Sequence, residues 1–397
     1  MLTQQMIRAR NLRNIYQMID QNAGISRASL AKQSKLSKTT VSSLVDELIA
    51  GKYIEDCGVT ESRLQGRHPN ELRVDGEDNV VAVISWRRTR LDLALVSSDS
   101  TLAFRDQIPI CKKESSIECI RHSFFDVLLP EVGTARLMGV CIIVPGIVDD
   151  IRGRINSTVL DITFSDPVVQ QLTEMMVGYP LCILNDTACF AYAENMFTRI
   201  EDPFFAYINV SRGVGACLFA DGKMLRGAGG MSTQFGHFSI DHNGPQCPCG
   251  NKGCLERLIG EYALEERAEA CGLHLDLPNG RRPLFSDIGA LAGNGDEAAL
   301  RLIRDLAQDL AFGLSNLISM FNPSLIVIGG TGVNLGPTFL KEVHAALSKI
   351  GFREFVSRVK LQYSRLGLDS ELTGAAQYYI NHHYDFSGEM PDGPFLR

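Results

Sequence analysis

Apolar residues at the start of the chain recur with the period of a helix. Ile7 and then Leu12, Ile15, Met18 and Ile19 share one face that runs on through residues 8–20. Ser26 stands as the N-cap of a short second helix, SRASLAKQS, with Leu30 and Ala31 facing inward. After the turn Lys35-Leu36-Ser37, the stretch KTTVSSLVDELIAGKYI carries Val41, Leu44, Val45 and Leu48 in one stripe. Two short helices joined by a tight turn, the second opening on small polar and basic residues, make a helix-turn-helix pattern. Its polar face, Lys38, Thr39, Thr40, Ser42 and Ser43, suits phosphates and base edges in a major groove. An ordinary three-helix bundle with a solvated face would show a similar stripe. Strand-like runs at residues 53–56 and 71–74 then flank the polar loop GVTESRLQGRHPN. This reads as a hairpin wing presenting Arg67 and His68, and with the wing the pattern points to double-stranded DNA.

From residue 79 the period shortens and apolar runs become continuous. VVAVISW, LDLALVSS and GVCIIVPGIVD predict strands, with helical patterns at residues 116–129 and 167–177. The run LCILND feeds a helix, TACFAYAENMF, and FFAYINVSRGVGACLFADGKML reads as a hairpin turning at Asp221-Gly222. Helices at residues 261–271 and 297–320, a buried strand LIVIGG and a last helix at 370–381 follow. Strands alternating with helices predict an α/β fold. The Gly/Pro-rich tail from residue 385 is expected to be disordered.

Composition adds three constraints. A chain of 397 residues is long enough for two or three domains. No apolar run approaches the length of a membrane span, and the first residues lack a signal-peptide core, so a cytoplasmic protein without membrane insertion is expected. Residues 1–75 hold eleven Lys/Arg against eight Asp/Glu, net +3, which leaves −10 elsewhere in a chain of net −7. A basic head on an acidic body is compatible with a nucleic-acid-binding module joined to a domain with a different ligand.

The eleven cysteines are scattered except for one cluster. Cys247, Cys249 and Cys254 lie within eight positions, interleaved with Pro248, Gly250 and Gly253, and His237 lies ten residues upstream of the first. Three thiolates and one imidazole make a closed tetrahedral set for Zn²⁺ with no position left for water, which is a structural site and not a catalytic one. Glycines let a short chain reverse and aim three sulfurs at one point. The clamp would pin a loop with His237 at one end and Glu256 just past the other.

Taken together, these residues resemble the ROK family of repressors and sugar kinases. The resemblance rests on the head with Gly66-Arg67-His68-Pro69, on Val144-Pro145-Gly146, Asn185-Asp186, Gly213-Val214-Gly215-Ala216 and Gly236-His237, on the cysteine loop through Glu256, and on Asn322-Pro323 with Ile328-Gly329-Gly330. It implies a winged helix-turn-helix domain over residues 1–75 and a two-lobed actin-like ATPase fold. The first lobe would cover residues 76–184, with a C-terminal helix at 370–384 packing back on it; the second would cover 185–369 with the zinc loop. By the same resemblance zinc sits on His237, Cys247, Cys249 and Cys254, and a sugar is contacted between the lobes by Asn185, Asp186, Gln234, His237 and Glu256. Gln234 stands where the family usually has Glu.

Family kinases share an Asp-x-Gly-Gly-Thr turn that brings backbone amides to phosphate. The matching place here reads Ile84-Ser85-Trp86-Arg87-Arg88-Thr89, and the usual Gly-Thr-Gly-Val-Gly has become Ser211-Arg212-Gly213-Val214-Gly215. The expectation is therefore a non-enzyme in which Asp186, the equivalent of the kinase general base, only accepts sugar hydrogen bonds. The implied function is a sugar-responsive transcriptional regulator, a repressor of carbohydrate-metabolism genes. Its partners would be an operator, a sugar or sugar-phosphate effector, and further copies of the chain in a homodimer or homotetramer. The alternatives are an ATP-dependent sugar kinase and a regulator controlled by a protein partner.

Overall fold

The structure is a computed structural model describing residues 4–58, 70–110, 115–227, 233–275, 277 and 281–386. Three helices open it: α1 (Gln4–Gln21), α2 (Arg27–Ser34) and α3 (Lys38–Ala50). Serine hydroxyls start the second and third. Ser26 accepts the Ser29 amide and Ser37 the Thr40 amide, each satisfying a donor that a first helical turn leaves open. Between them Lys35 adopts φ 59°, the left-handed reversal that lets the chain turn within three residues. Leu12, Ile15, Ile19, Leu30, Val41, Leu44, Val45 and Leu48 are all buried, and each such side chain contributes about 1.5–3 kcal/mol. The wing strands are present as β1 (Ile54–Asp56) and β2 (Leu72–Val74), antiparallel with Ile54 opposite Val74. Arg67 and His68 of the wing lie outside the described residues, as does the tail from residue 387.

The first sheet contains β3 (Asn79–Trp86), β4 (Arg90–Ser97), β5 (Leu102–Pro109) and β6 (Arg136–Val144). A small hairpin, β7 (Ile147–Asp149) and β8 (Arg154–Asn156), precedes its last strand, β9 (Leu181–Asn185). The order is β5-β4-β3-β6-β9, with β3, β6 and β9 parallel. Every residue of β3 is buried, which is why it reads as an unbroken apolar run. Edge strand β5 is mostly exposed, and its polar FRDQ segment hid it from the pattern. Helix α4 (Ser116–His122) passes through a π-helical turn, Ser123–Leu128, into α5 (Leu129–Glu131), and α6 (Val168–Met175) follows β8.

From α7 (Asp186–Phe197) the chain builds a second sheet from β10 (Phe204–Val210), β11 (Val214–Ala220), β12 (Lys223–Met224), β13 (Leu325–Gly329) and β14 (Lys360–Tyr363). Its order, β12-β11-β10-β13-β14, repeats that of the first, again as an antiparallel meander with two strands added in parallel. The repeat is the two-lobed actin-like arrangement. Helices α8 (Leu255–Ile259), α9 (Leu264–Ala270), α10 (Phe285–Gly293), α11 (Glu297–Phe321), α12 (Gly336–Leu347) and α13 (Arg353–Val356) belong to this lobe. Leu302, Ile303, Leu306, Leu310, Leu314 and Leu317 make the buried stripe of α11 at helical spacing. The helix expected over residues 261–271 starts after the extended Gly260 as a 3₁₀ turn, Glu261–Ala263, and becomes α9 at Leu264.

The chain divides into two compact units, Met1–Cys189 with Leu372–Arg397, and Phe190–Glu371. The first unit joins the head, the first sheet and the C-terminal helix (Ser370–His382). That helix lies on the sheet: Tyr379 Oη donates to Met138 O at 2.9 Å and Gln377 Nε2 to Ser98 O at 2.7 Å. Residue 139 is glycine because a Cβ there would overlap the Tyr379 phenol. The residues that follow hold the head. Arg13 Nη2 donates to Tyr384 O at 2.9 Å, the Tyr53 and Tyr384 hydroxyls meet at 2.8 Å, and the Tyr16 and Phe386 ring centres are 4.5 Å apart.

Candidate functional site

Four ligand atoms converge in the second unit. One nitrogen of His237 and the sulfurs of Cys247, Cys249 and Cys254 all lie within 4.8 Å of one another. His237 Nδ1 is 3.6 Å from Cys247 Sγ, and Cys249 Sγ is 3.6 Å from Cys254 Sγ. A tetrahedral zinc site with ordinary bond lengths has ligand–ligand edges of about 3.6–3.8 Å. Sulfurs at this separation are not in a disulfide, whose S–S length is about 2.05 Å. The donor set therefore fits a metal ion.

Local chemistry explains how the loop folds there. Phe235 is buried and anchors the 3₁₀ turn Phe235–His237. Gly236 faces the Val214 carbonyl so closely that a Cβ would overlap it, which accounts for glycine before the histidine. Gly253 has φ +60° and faces the Asp241 carbonyl with the same intolerance. The Cys247 amide donates to Asn251 O at 2.8 Å and the Gly250 amide to Cys247 O at 3.0 Å, closing the turn that carries Cys249. Burial pushes the Cys254 thiol well up. Against its own burial, the Asn251 amide helps bring Cys249 down. A dication removes this conflict by holding all three as thiolates.

Beside the cluster, Glu256 Oε2 accepts the Val214 amide at 3.0 Å. His237 turns Nδ1 to Cys247, so its other ring nitrogen points away from that sulfur. Gln234 is exposed at the start of the same turn. In the first unit, Asn185 ends β9 and caps α7: its Oδ1 accepts the Ala188 amide at 3.0 Å while Nδ2 donates to Gly146 O at 2.7 Å. Asp186 Oδ1 accepts the Thr187 amide at 2.7 Å and Asn185 Nδ2 at 3.1 Å. Asn185 and Asp186 thus belong to one unit, and Gln234, His237 and Glu256 to the other.

The β3–β4 turn and the turn at residues 211–215 carry internal hydrogen bonds. The β3–β4 turn is shut by the Arg87 amide on Arg90 O at 2.9 Å, and the guanidinium groups of both residues reach Asp92. Trp86 is buried beneath it. In the second unit the Thr331 amide donates to Ser211 Oγ at 3.1 Å, and Ser211 Oγ donates to Asn209 Oδ1 at 2.9 Å.

On the head, Lys38, Thr39, Thr40 and Ser43 are exposed along the start of α3. Ser42 is half-buried, and Arg27 Nη1 reaches its hydroxyl at 3.1 Å and Asp46 at 2.6 Å. Arg27 and the capping Ser37 were not singled out from sequence. The serine-to-amide cap is the signal that could have drawn attention to Ser37.

Comparison with known proteins agrees with this geometry. A profile described as ROK family matches residues 83–381, and one described as winged helix-turn-helix DNA-binding matches residues 8–55. The chain is 27% identical over 386 residues to the xylose repressor of Bacillus subtilis (strain 168), covering 94% of this chain and 96% of that one. It is 23% identical over 371 residues to the DNA-binding transcriptional dual regulator NagC of Escherichia coli (strain K12), covering 91% and 90%. A solved ROK family transcriptional regulator, described as a homologue of the E. coli Mlc protein, superposes with a TM-score of 0.80 at 25% identity, covering 94% of this chain and 96% of that one.

Proposed function

The chain belongs to the ROK family, and from that premise we propose that it is a sugar-responsive DNA-binding transcriptional regulator, a repressor of carbohydrate-metabolism genes. The observation that carries the reading is the pairing of an exposed α3 face with β3–β4 and 211–215 turns that carry internal hydrogen bonds. The Val214 and Thr331 amides, in and beside the 211–215 turn, already serve Glu256 and Ser211. A phosphoryl group approaching Val214 would meet the Glu256 carboxylate, which like charge opposes. We read the chain as a non-kinase on that ground.

In this reading Lys38, Thr39, Thr40, Ser42 and Ser43, with Arg67 and His68 of the wing, face an operator. Asn185, Asp186, Gln234, His237 and Glu256 contact a sugar or sugar phosphate. Carboxylates suit this because each accepts several hydroxyl donors, and the two amides, Asn185 and Gln234, both donate and accept. Zinc on His237, Cys247, Cys249 and Cys254 would fix the loop that carries two of the five, supplying shape and no chemistry. The protein would act in the cytoplasm as a homodimer or homotetramer, because helix-turn-helix heads read paired half-sites, and the effector would bias DNA binding by preferring one arrangement of the chain. Among the described residues no helix is long and apolar enough to cross a membrane.

The test is operator affinity at fixed salt with and without D-xylose, D-glucose, N-acetylglucosamine and their phosphates. One of them should shift the affinity at least tenfold, and no shift with any sugar removes the effector half of the proposal. An ATP-dependent sugar kinase is the second reading, favoured by Asp186 at the head of α7. ADP release at seconds-scale turnover over the same panel would establish it.

A further inference from the structure

A cavity of about 940 Å³ opens where the head meets the first sheet, and every residue that lines it belongs to the first unit. The buried part of the lining is apolar apart from one hydroxyl: Ile19 at the end of α1, Val80 of β3, and Leu95 and Ser97 of β4. The rest of the lining is acidic. Glu55, Glu77, Asp99 and Glu131 are exposed there and Asp20 is half-buried. Arg73 is the one cation in the lining, and its guanidinium already meets Glu71 at 3.2 Å. Among the described residues none of the five carboxylates is in an ion pair.

Strand register fixes where Ser97 points. Val80 lies opposite it across β3 and β4, and alternation along β4 puts Leu95 and Ser97 on the same face. Ser97 is 6% exposed, yet its hydroxyl has no hydrogen-bond partner among the described residues. A buried hydroxyl is ordinarily partnered, so one facing a cavity invites a ligand group. Asp20 Oδ2, buried in the wall, is also without a partner. Asp99 is held in place: its Oδ1 accepts the Thr101 amide at 3.0 Å, and a Cβ on Gly76 would overlap the carboxylate.

We propose that this cavity binds a small linear organic polycation, in which ammonium groups are joined by methylene chains. The ammonium groups answer the carboxylates and supply the N–H donors that Ser97 and Asp20 lack. The methylenes cover Ile19, Val80 and Leu95, as the stem of a lysine covers apolar surface. Five like charges turn away an anion, the DNA backbone included. A metal ion draws its ligands together, and the His237 cluster is the one place among the described residues where three such groups converge. The acids here are spread instead, which suits charges separated along a chain. A volume of about 940 Å³ also lies within the roughly 300–1,000 Å³ of small-molecule sites. The ligand touches α1 and β4 at once and so braces the head against the sheet.

The experiment is calorimetric titration of the full-length protein with spermidine, and separately with magnesium, at physiological ionic strength, where weak surface pairing is screened. Hydrogen exchange with and without spermidine locates the site. Wild type is compared with Asp20→Asn, Ser97→Ala and Ala103→Lys. Ala103 lines the same cavity from the exposed edge strand β5, so a lysine there brings the chain's own ammonium group to the acids. Spermidine should bind at one site and slow amide exchange at the end of α1 and along β4. Asp20→Asn and Ala103→Lys should each weaken it about tenfold, the lysine variant with an unchanged melting temperature in the absence of ligand. Ser97→Ala should weaken it about threefold.

No binding of spermidine would overturn the proposal. Binding that neither Asp20→Asn nor Ala103→Lys weakens, or that leaves exchange in α1 and β4 unchanged, would place the ligand elsewhere and overturn the site. Magnesium slowing the same amides where spermidine does not would overturn the ligand class.

Discussion

At the scale of single residues, the metal cluster makes the firmest demands. Cys249 is the exposed member of the four, yet its sulfur sits at a tetrahedral edge distance from Cys254. Cys249→Ser should release the metal, read by elemental analysis, and lower operator affinity only through the displaced loop. Gly236→Ala should destabilise the second unit by about 3 kcal/mol, because the new methyl group meets the Val214 carbonyl within a packed turn. Thermal unfolding with the metal present checks it. The cysteine spacing made the cluster legible in the sequence, and interleaved glycines marked where the chain must reverse. The contact between the Val214 amide and the Glu256 carboxylate was not legible. Nothing in the spacing says that two segments 42 positions apart meet there, since that depends on turns meeting in space.

At the scale of elements, hydrophobic period located what is buried and missed what is not. The runs that became β3, β6, β9, β10 and β13 were readable because both faces are covered. Strands β5 and β14 lie at sheet edges with polar or half-buried residues, so their alternation is diluted. The helix-turn-helix was visible through the Ser26 cap and the apolar stripes, while the Ser37 cap of α3 went unread. Ser37→Ala should weaken α3 by about 1 kcal/mol, measured as a drop in head stability by hydrogen exchange. A disordered tail is expected from residue 385, yet Phe386 is buried against Tyr16 and Tyr53. Tyr384→Ala with Phe386→Ala should raise exchange across α1 while leaving the β3–β6 pairing protected.

At the scale of the whole chain, charge and protons act on the head. Burial, with Asp99 nearby, pushes the Asp20 carboxyl up to about 6 against a hydrogen bond from Asn381. A raised acid stabilises the folded state below its unfolded value near 3.8, and that contribution is lost as pH rises through about 6. Asp20→Asn should therefore gain on the order of 2–3 kcal/mol over wild type at pH 7.5 and almost nothing at pH 4. Paired melting curves at the two pH values test this. Operator affinity should fall steeply with salt, since the head is basic and the remainder carries −10. Lys38→Ala should lower that salt slope by about 1 if its ammonium group meets a phosphate.

The contact between Arg13 and Tyr384 spans 371 positions of the chain. A ribosome adding 5–20 residues per second needs roughly 20 to 75 s to cover that interval. The reading head can finish folding long before its anchor exists. A nascent product would carry a head able to touch DNA while the Tyr384 and Phe386 contacts are still missing.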